Sequence, residues 1–246
     1  NKFLRYFWEV NPDGVSHFYP HDKKKWVIYQ KGGPYVKWYG NNWTIVNFMN
    51  DGKGLATTDN KDFYFKQGIS YSASGSKGVS FRLIDPECAF DKGGPCIFVL
   101  DKKLSDYYMI GFLNSLLCSY IVNCLNPTVN RQVGDIRRIP LAIPAFEECK
   151  KIEALSQINV EIMKKLCEFS IVERHYKRSS LESYLHHELK SKLHTFFSYE
   201  NFLLCQVLLN EAIINDIVFT VYDLTEYDKN MVISKEGKSV GSLPVD

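Results

Sequence analysis

Four segments in the first part of the chain place cations, amides, hydroxyls and aromatic rings close together. They are residues 30–35, 37–42, 73–78 and 130–132. Lysine, serine and free backbone N–H groups suit phosphate oxygens, which set affinity and register on DNA. Asparagine and glutamine can read adenine through two hydrogen bonds, and arginine can read guanine in the same way. Together the segments indicate a nucleic-acid surface, although each one alone is more typical of a solvated loop.

The candidate DNA-binding residues come from these segments and from the residues just before the third one. We expect loops 31–42, 71–77 and 130–132 to line a DNA groove. Within segment 37–42, Trp38 is equally compatible with a place in the core. The predicted DNA-binding set is Lys31, Tyr35, Lys37, Trp38, Asn41, Asn42, Tyr71, Ser72, Ser74, Ser76, Lys77, Asn130, Arg131 and Gln132.

The short motifs that commonly carry catalysis are absent from the sequence. The phosphate-binding glycine loop, the serine-hydrolase elbow and the zinc-protease HExxH pattern do not occur. Asn11-Pro12 and Asn126-Pro127 both lack the following Pro-aromatic pair with which amino-methyltransferases hold a flipped base. We therefore predict that this chain is not itself catalytic and binds no cofactor or metal.

The seven cysteines favour a reduced, cytoplasmic protein. Their number is odd, no CxxC pair occurs, and the spacing of zinc ligands is missing. Four of them lie in apolar helical patterns, which is typical of buried free thiols. The apolar stretch 107–125 is interrupted by asparagines and serines, so it indicates a buried helix rather than a membrane span.

The net charge of +2 hides an asymmetry between two parts of the chain. Residues 1–143 carry 18 lysines and arginines against 12 aspartates and glutamates, a balance of +6. Residues 144–246 carry 12 against 16, a balance of −4. The first part also holds 24 of the 35 aromatic residues. This contrast predicts two units with different partners, residues 1–143 and residues 144–246.

Short apolar runs bounded by turn residues predict strands in the first unit, at 26–30, 43–49, 69–72, 79–84 and 96–100. Helical patterning follows at 101–125 and ends at Asn126-Pro127, because proline disfavours a helical residue before it. A final strand is expected at 135–143. The predicted fold class is therefore α+β, with one buried helix late in the first unit.

The second unit begins with a helical stripe. Apolar residues recur at three- and four-residue steps from Cys149 to Phe169. Pro144 precedes them, and proline is well suited to the first turn of a helix. The stripe either packs within its own domain or presents a seam to another one, and the pattern leaves both open. Further helices are predicted near 181–193 and 200–221.

Ordered aromatic, glycine and amide motifs run through most of the chain. They are Phe3–Val10, Lys31-Gly32-Gly33, Lys37–Asn42, Phe63–Ser72, Gly111–Ser115, Asn126–Ile136 and the tail Gly237–Val245. This series resembles the target-recognition region of the BREX-system (phage growth limitation X type) adenine-specific DNA methyltransferases. Related type II restriction-modification enzymes with fused methylase and recognition domains share the resemblance.

The resemblance implies that residues 1–143 choose a DNA sequence for an adenine-N6 methyltransferase in phage defence or restriction-modification. It also implies that the catalytic domain and its S-adenosylmethionine site lie upstream of Asn1, and the missing initiator methionine agrees with an excised fragment. The family usually has tryptophan at Tyr71 and an aromatic residue at Arg131. Arg131 is therefore either a species-specific base reader or a neutral surface change.

Two binding functions remain open from the sequence, and a third interpretation is a self-contained enzyme with an unfamiliar site. In the first, residues 1–143 bind double-stranded DNA and residues 144–246 dock on the upstream methyltransferase domain. In the second, the chain is mainly a protein-interaction module that recruits other defence or restriction subunits through the Cys149–Phe169 stripe. Neither function involves a membrane.

Overall fold

Seven short strands form two sheets within the first hundred residues. The computed structural model describes residues 3–19, 21–53, 55, 60–184 and 188–237. The first sheet has the order β1-β3-β2-β6, with β6 parallel to β2 and the other pairs antiparallel. The second sheet is antiparallel with the order β5-β4-β7. The strands are β1 (Leu4–Tyr6), β2 (Trp26–Gln30), β3 (Thr44–Asn47), β4 (Gly68–Tyr71), β5 (Phe81–Ile84), β6 (Cys88–Phe90) and β7 (Cys96–Ile97).

Helices dominate the rest of the described chain, and the predicted α+β class is confirmed. Ser105 and Ser115 begin two of the helices by accepting backbone hydrogen bonds from Tyr108 and Cys118. The helices are α1 (Met49–Gly52), α2 (Asp106–Leu113), α3 (Leu116–Leu125), α4 (Val133–Ile136), α5 (Phe146–Cys167), α6 (Leu189–Val221) and α7 (Glu226–Glu236).

The helix predicted over 101–125 is in fact two helices bent by 64° at Asn114-Ser115. Asn114 is buried, and its amide group donates to the carbonyl oxygen of Phe81 and accepts from the Phe81 N–H, both at 3.0 Å. The side chain thus satisfies backbone groups of edge strand β5 that water cannot reach. The expected helix end is confirmed, because α3 stops at Leu125 with Asn126 as its cap.

Helices of this same chain cover most of the stripe on α5, although its Ile158 is 46% exposed. α5 packs against α2 and α6, and Ile152 and Val160 are fully buried there. The approach to α2 is close, because a Cβ on Gly111 would lie 2.4 Å from Ser156 Oγ. One hydrophobic cluster continues from Trp38 to Val232. This cluster therefore includes residues from both sides of the predicted boundary between residues 143 and 144. The division into two units stays a prediction.

The strand predicted at 135–143 is wrong. Residues 133–136 form α4, and no strand follows before α5. The Asp135 carboxylate accepts from the Gln132 N–H at 2.8 Å and from Asn126 Nδ2 at 2.7 Å, which stabilises a helical turn instead. The helix predicted near 200–221 is confirmed, because α6 covers all of it. The stretch predicted as a separate helix near 181–193 instead contains a 3-10 turn at Ser180–Ser183 and the first residues of α6. The tail motif beyond Gly237 lies outside the described residues.

By length and composition, α6 is apolar enough to cross a membrane, and so is the bent α2–α3 pair taken as one span. A third of the most apolar window of α6 is buried within the structure. Asn210 of α6 donates to Asn159 of α5 at 2.8 Å, and both amides are buried between the helices. Core helices of soluble proteins have the same length and composition, so this feature indicates no span by itself.

Candidate nucleic-acid interface

Two of the predicted DNA-binding loops meet directly. The Gly75 N–H donates to the carbonyl oxygen of Val129 at 3.0 Å, and the Arg131 N–H donates to that of Ala73 at 2.7 Å. Ser74 and Asn130 thus face each other in an isolated antiparallel bridge. The structure therefore brings loops 71–77 and 130–132 together as one surface.

The segment after α3 is held in place by its own polar side chains. The guanidinium of Arg131 donates to the carbonyl oxygen of Asn126 and to Asn123 Oδ1, both at 2.6 Å. Arg131 is only 7% exposed, so its charged group points into the protein. Asn130 and Gln132, its neighbours on either side, are exposed. Arg131 therefore supports the loop, while its neighbours can reach a ligand.

A third predicted loop reaches this surface through Asp91. Lys31 Nζ lies 2.8 Å from the Asp91 carboxylate, whose other oxygen accepts from the Gly93 N–H at 2.7 Å. The Ala73 N–H donates to the carbonyl oxygen of Gly93 at 3.2 Å. Gly32 has a φ of +79°, and a Cβ there would lie 2.6 Å from that same oxygen. Only glycine fits this close approach of loops 31–33 and 91–95.

An open cleft of about 720 Å³ lies where these loops meet. Half-buried phenylalanines line one part of it, with ring centroids of Phe63 and Phe98 4.9 Å apart and those of Phe90 and Phe98 5.7 Å apart. The polar lining includes the predicted residues Ser74, Asn130, Arg131 and Gln132, and two cations that the sequence interpretation missed, Lys92 and Arg137.

Four cations are exposed in the segments that form the cleft, and two of them, Lys92 and Arg137, line it. Lys77, Lys92, Arg137 and Arg138 form no ion pair with any of the described residues. Asp91 is the acidic residue among the lining groups, and Lys31 pairs with it. The charged residues that line the cleft, Lys92, Arg131 and Arg137 against Asp91, are therefore net positive, which suits phosphate binding.

Segment 37–42 faces the helices rather than the cleft. Lys37 Nζ lies 3.1 Å from Glu211 on α6, and Trp38 Nε1 donates to the same carboxylate at 2.6 Å. Although burial opposes the charged form, Glu211 raises the pKa of Lys37 above its ordinary value. The Asn41 N–H donates to the buried carboxylate of Glu173 at 3.2 Å. This segment therefore joins the two predicted units.

The fourteen predicted DNA-binding residues fall into three groups by accessibility, and their role in binding stays a prediction. Lys37 and Ser72 are half-buried, and Ser72 Oγ donates to the carbonyl oxygen of Gly33 at 2.9 Å. The exposed members are Lys31, Tyr35, Ser74, Ser76, Lys77, Asn130 and Gln132. The buried members are Trp38, Asn41, Asn42, Tyr71 and Arg131, which bind other parts of this chain or its core.

Sequence signals for the missed cations were present. Lys92 lies in a turn-rich segment whose glycines and proline mark an exposed loop, but that loop was not considered as a DNA contact. Arg137-Arg138 is a dibasic pair that the wrong strand assignment at 135–143 had placed in a sheet. The phenylalanines of the cleft gave no signal, because aromatic residues are common in cores.

Four of the seven free cysteines are buried, namely Cys88, Cys118, Cys149 and Cys167. Burial raises the pKa of Cys88, Cys118 and Cys167 to about 12, which keeps these thiols protonated and unreactive. Within the described residues, no group of three or more histidines, cysteines or carboxylates has the geometry of a metal site.

Comparison with known proteins relates the chain to methyltransferases. It is 33% identical over 145 residues to the adenine-specific methyltransferase BrxX of Escherichia coli O9:H4 (strain HS), covering 57% of this chain. It is 30% identical over 148 residues to the adenine-specific methyltransferase PglX of Lacticaseibacillus casei (strain Zhang), covering 55% of this chain. The similar region spans 12% of the length of each relative. No known protein-family profile matches the sequence.

Proposed function

We propose that this chain is the DNA-recognition module of an adenine-N6 DNA methyltransferase that acts in phage defence. The similarity to two adenine-specific methyltransferases supports the methyltransferase context. Because the similar region spans only 12% of each relative, the chemistry is proposed to come from another domain, which would bind S-adenosylmethionine. The assembly is proposed to act in the cytoplasm.

The observation that carries the DNA-recognition role is a cleft whose charged lining is net positive and to which loops 72–77, 91–95 and 129–132 contribute. These loops are far apart in sequence, yet hydrogen bonds join them around Ala73 and Gly93. Loop 31–33 lies behind them, and Ser72 Oγ donates to its Gly33 carbonyl oxygen. Exposed amides of Asn130 and Gln132 offer the groups that read base edges. Exposed Lys92 and Arg137 lie beside them and offer the groups that bind phosphates.

The interaction-module alternative was suggested by the Cys149–Phe169 stripe and by the acidic balance of residues 144–246. Packing against α2 and α6 within this chain accounts for most of the stripe, although Ile158 is 46% exposed. The alternative stays an untested prediction.

The proposal is tested by fluorescence anisotropy of this chain on labelled duplex DNA over a range of salt concentrations. We expect binding that weakens with salt, because bound cations release counterions from the phosphates. Lys92→Ala and Arg137→Ala should each weaken binding severalfold, and each should reduce the log–log salt slope by about 0.9 if one phosphate contact is lost.

Lys151→Ala is the matched control, because Lys151 is exposed on α5 and does not line the cleft. It should leave both the affinity and the salt slope unchanged. Absence of binding at low salt, or equal effects of Lys92→Ala and Lys151→Ala, would contradict the proposed surface.

A further inference from the structure

The aromatic part of the cleft is unlike a surface that only follows a DNA groove. Phe63, Phe90 and Phe98 are half-buried, the ring of Phe98 contacts the other two, and all three line open space. Paired bases present only their edges in the grooves, because their faces are covered by neighbouring base pairs. A bound groove would therefore contact the amides and cations of this surface, whereas the parts of the phenylalanines that line the cleft would contact no base.

From this lining we infer that the cleft binds one unpaired nucleobase of the DNA. The phenylalanines offer apolar and aromatic surface to the base, and stacking of a base on aromatic rings is tolerant of sequence. Asn130 and Gln132 offer hydrogen bonds to the base edge, and Lys92 and Arg137 offer charge to its phosphates. This inference rests on the proposed function, since the nucleotide belongs to the bound DNA.

The size and support of the cleft agree with such a ligand. Its volume of about 720 Å³ falls within the range of small-molecule pockets, whereas a whole duplex cannot enter a space of this size. The polar side is held by the Ser74–Asn130 bridge and by the buried guanidinium of Arg131. The backbone that carries Asn130 and Gln132 is therefore held in place before the base binds, which lowers the entropic cost of binding.

An unpaired nucleobase can come from two sources, an extrahelical nucleotide in a duplex or a stretch of single-stranded DNA. The test compares three labelled probes by anisotropy with this chain: a fully paired duplex, the same duplex with one bulged nucleotide, and the corresponding single strand. We expect the bulged duplex to bind about tenfold more tightly than the paired one, as expected for one stacked base. A single strand that binds as tightly as the bulged duplex supports the same site with single-stranded DNA as its source.

Two variants connect this preference to the cleft. Phe98→Ala should bring the affinity for the bulged duplex down to that for the paired duplex. Gln132→Ala changes an exposed side chain, so it keeps the fold intact, and it should reduce the bulge preference for some bulged bases more than for others. Phe197→Ala is the control, because Phe197 is 52% exposed on α6 and does not line the cleft.

The inference is overturned if the paired duplex binds as tightly as both unpaired probes, or if neither cleft variant reduces the preference. In that case salt-dependent binding of the paired duplex would still support the proposed function. If none of the three probes binds at low salt, both the inference and the proposed function are wrong.

Discussion

The backbone N–H of Arg131 donates to the carbonyl oxygen of Ala73 at 2.7 Å. This bond joins the segment after α3 to the loop after β4 and brings Asn130 beside Ser74. The Arg131 side chain points away from solvent and binds two groups of its own segment, Asn123 and Asn126. In this structure Arg131 positions its neighbours. The sequence offered two other roles for this residue, a base reader or a neutral surface change.

Arg131→Ala should therefore act through the loop. The variant loses two charge-assisted hydrogen bonds and leaves two partly buried acceptors without this donor, which should lower the free energy of unfolding by about 2 kcal/mol. The affinity should fall by a similar factor for every DNA sequence, because the Arg131 side chain no longer holds the whole segment 129–132 in place. Urea unfolding and anisotropy on several duplexes measure the two effects. Unchanged stability with an altered sequence preference would instead show that Arg131 reads a base.

Lys37→Met should weaken the fold and leave DNA binding unchanged. Lys37 and Glu211 are each 19% exposed, and their charged groups lie 3.1 Å apart between segment 37–42 and α6. Losing the cation leaves a mostly buried carboxylate with only Trp38 Nε1 as its donor, so we expect a loss of about 1–2 kcal/mol. A double-mutant cycle with Glu211→Gln isolates the coupling between the two residues. A variant of normal stability that binds DNA as poorly as Lys92→Ala would assign Lys37 to the DNA surface.

Gly111→Ala should destabilise the packing of α2 on α5. Its methyl group would lie 2.4 Å from Ser156 Oγ and 2.6 Å from Ile152 Cγ2, so the helices must move apart. Such overpacking costs about 1–3 kcal/mol, which thermal or urea unfolding detects. Gly134→Ala on α4 is the matched control, because a Cβ there meets nothing within 4 Å. The control should be neutral or slightly stabilising, and equal losses in both variants would refute close helix packing as the cause.

The stability of the wild type relative to Glu173→Gln should depend on pH. Burial raises the pKa of Glu173, and its Oε2 has no partner among the described residues. A raised pKa in the folded state means that the folded protein holds this proton more tightly than the unfolded chain does. The stabilising contribution is thus fully present below the ordinary pKa of 4.5 and is lost as the pH rises through the raised value.

We therefore expect the wild type to lose stability relative to Glu173→Gln between acid and neutral pH. The other carboxylates contribute alike to both proteins, so the difference in unfolding free energy isolates this one group. A difference that stays constant over that pH range would mean that Glu173 is not held in a desolvated site.

Local patterns in the sequence predicted several of the strands and helices, but they missed β1, β6 and α7 and placed a strand where α4 lies. Contacts between distant residues could not be predicted. β2 was predicted with its observed bounds, and the end of α3 at Asn126 follows from the next proline. No local pattern shows that Lys37 binds Glu211 or that Arg131 turns inward, because these choices depend on partners far along the chain. Polar composition alone therefore placed Lys37, Asn41 and Arg131 on the DNA surface beside Asn130, although only Asn130 is exposed.

Selection of binding sites from a random pool of duplexes tests the central claim most directly. With this chain as the binder, the account predicts enrichment of one short consensus sequence. Gln132→Ala should relax the preference at a limited set of positions, by about 1–3 kcal/mol for a bidentate contact, and leave the rest of the consensus unchanged. A pool that stays random, or a consensus that is identical for the wild type and Gln132→Ala, Asn130→Ala and Ser74→Ala, would contradict sequence recognition by this surface.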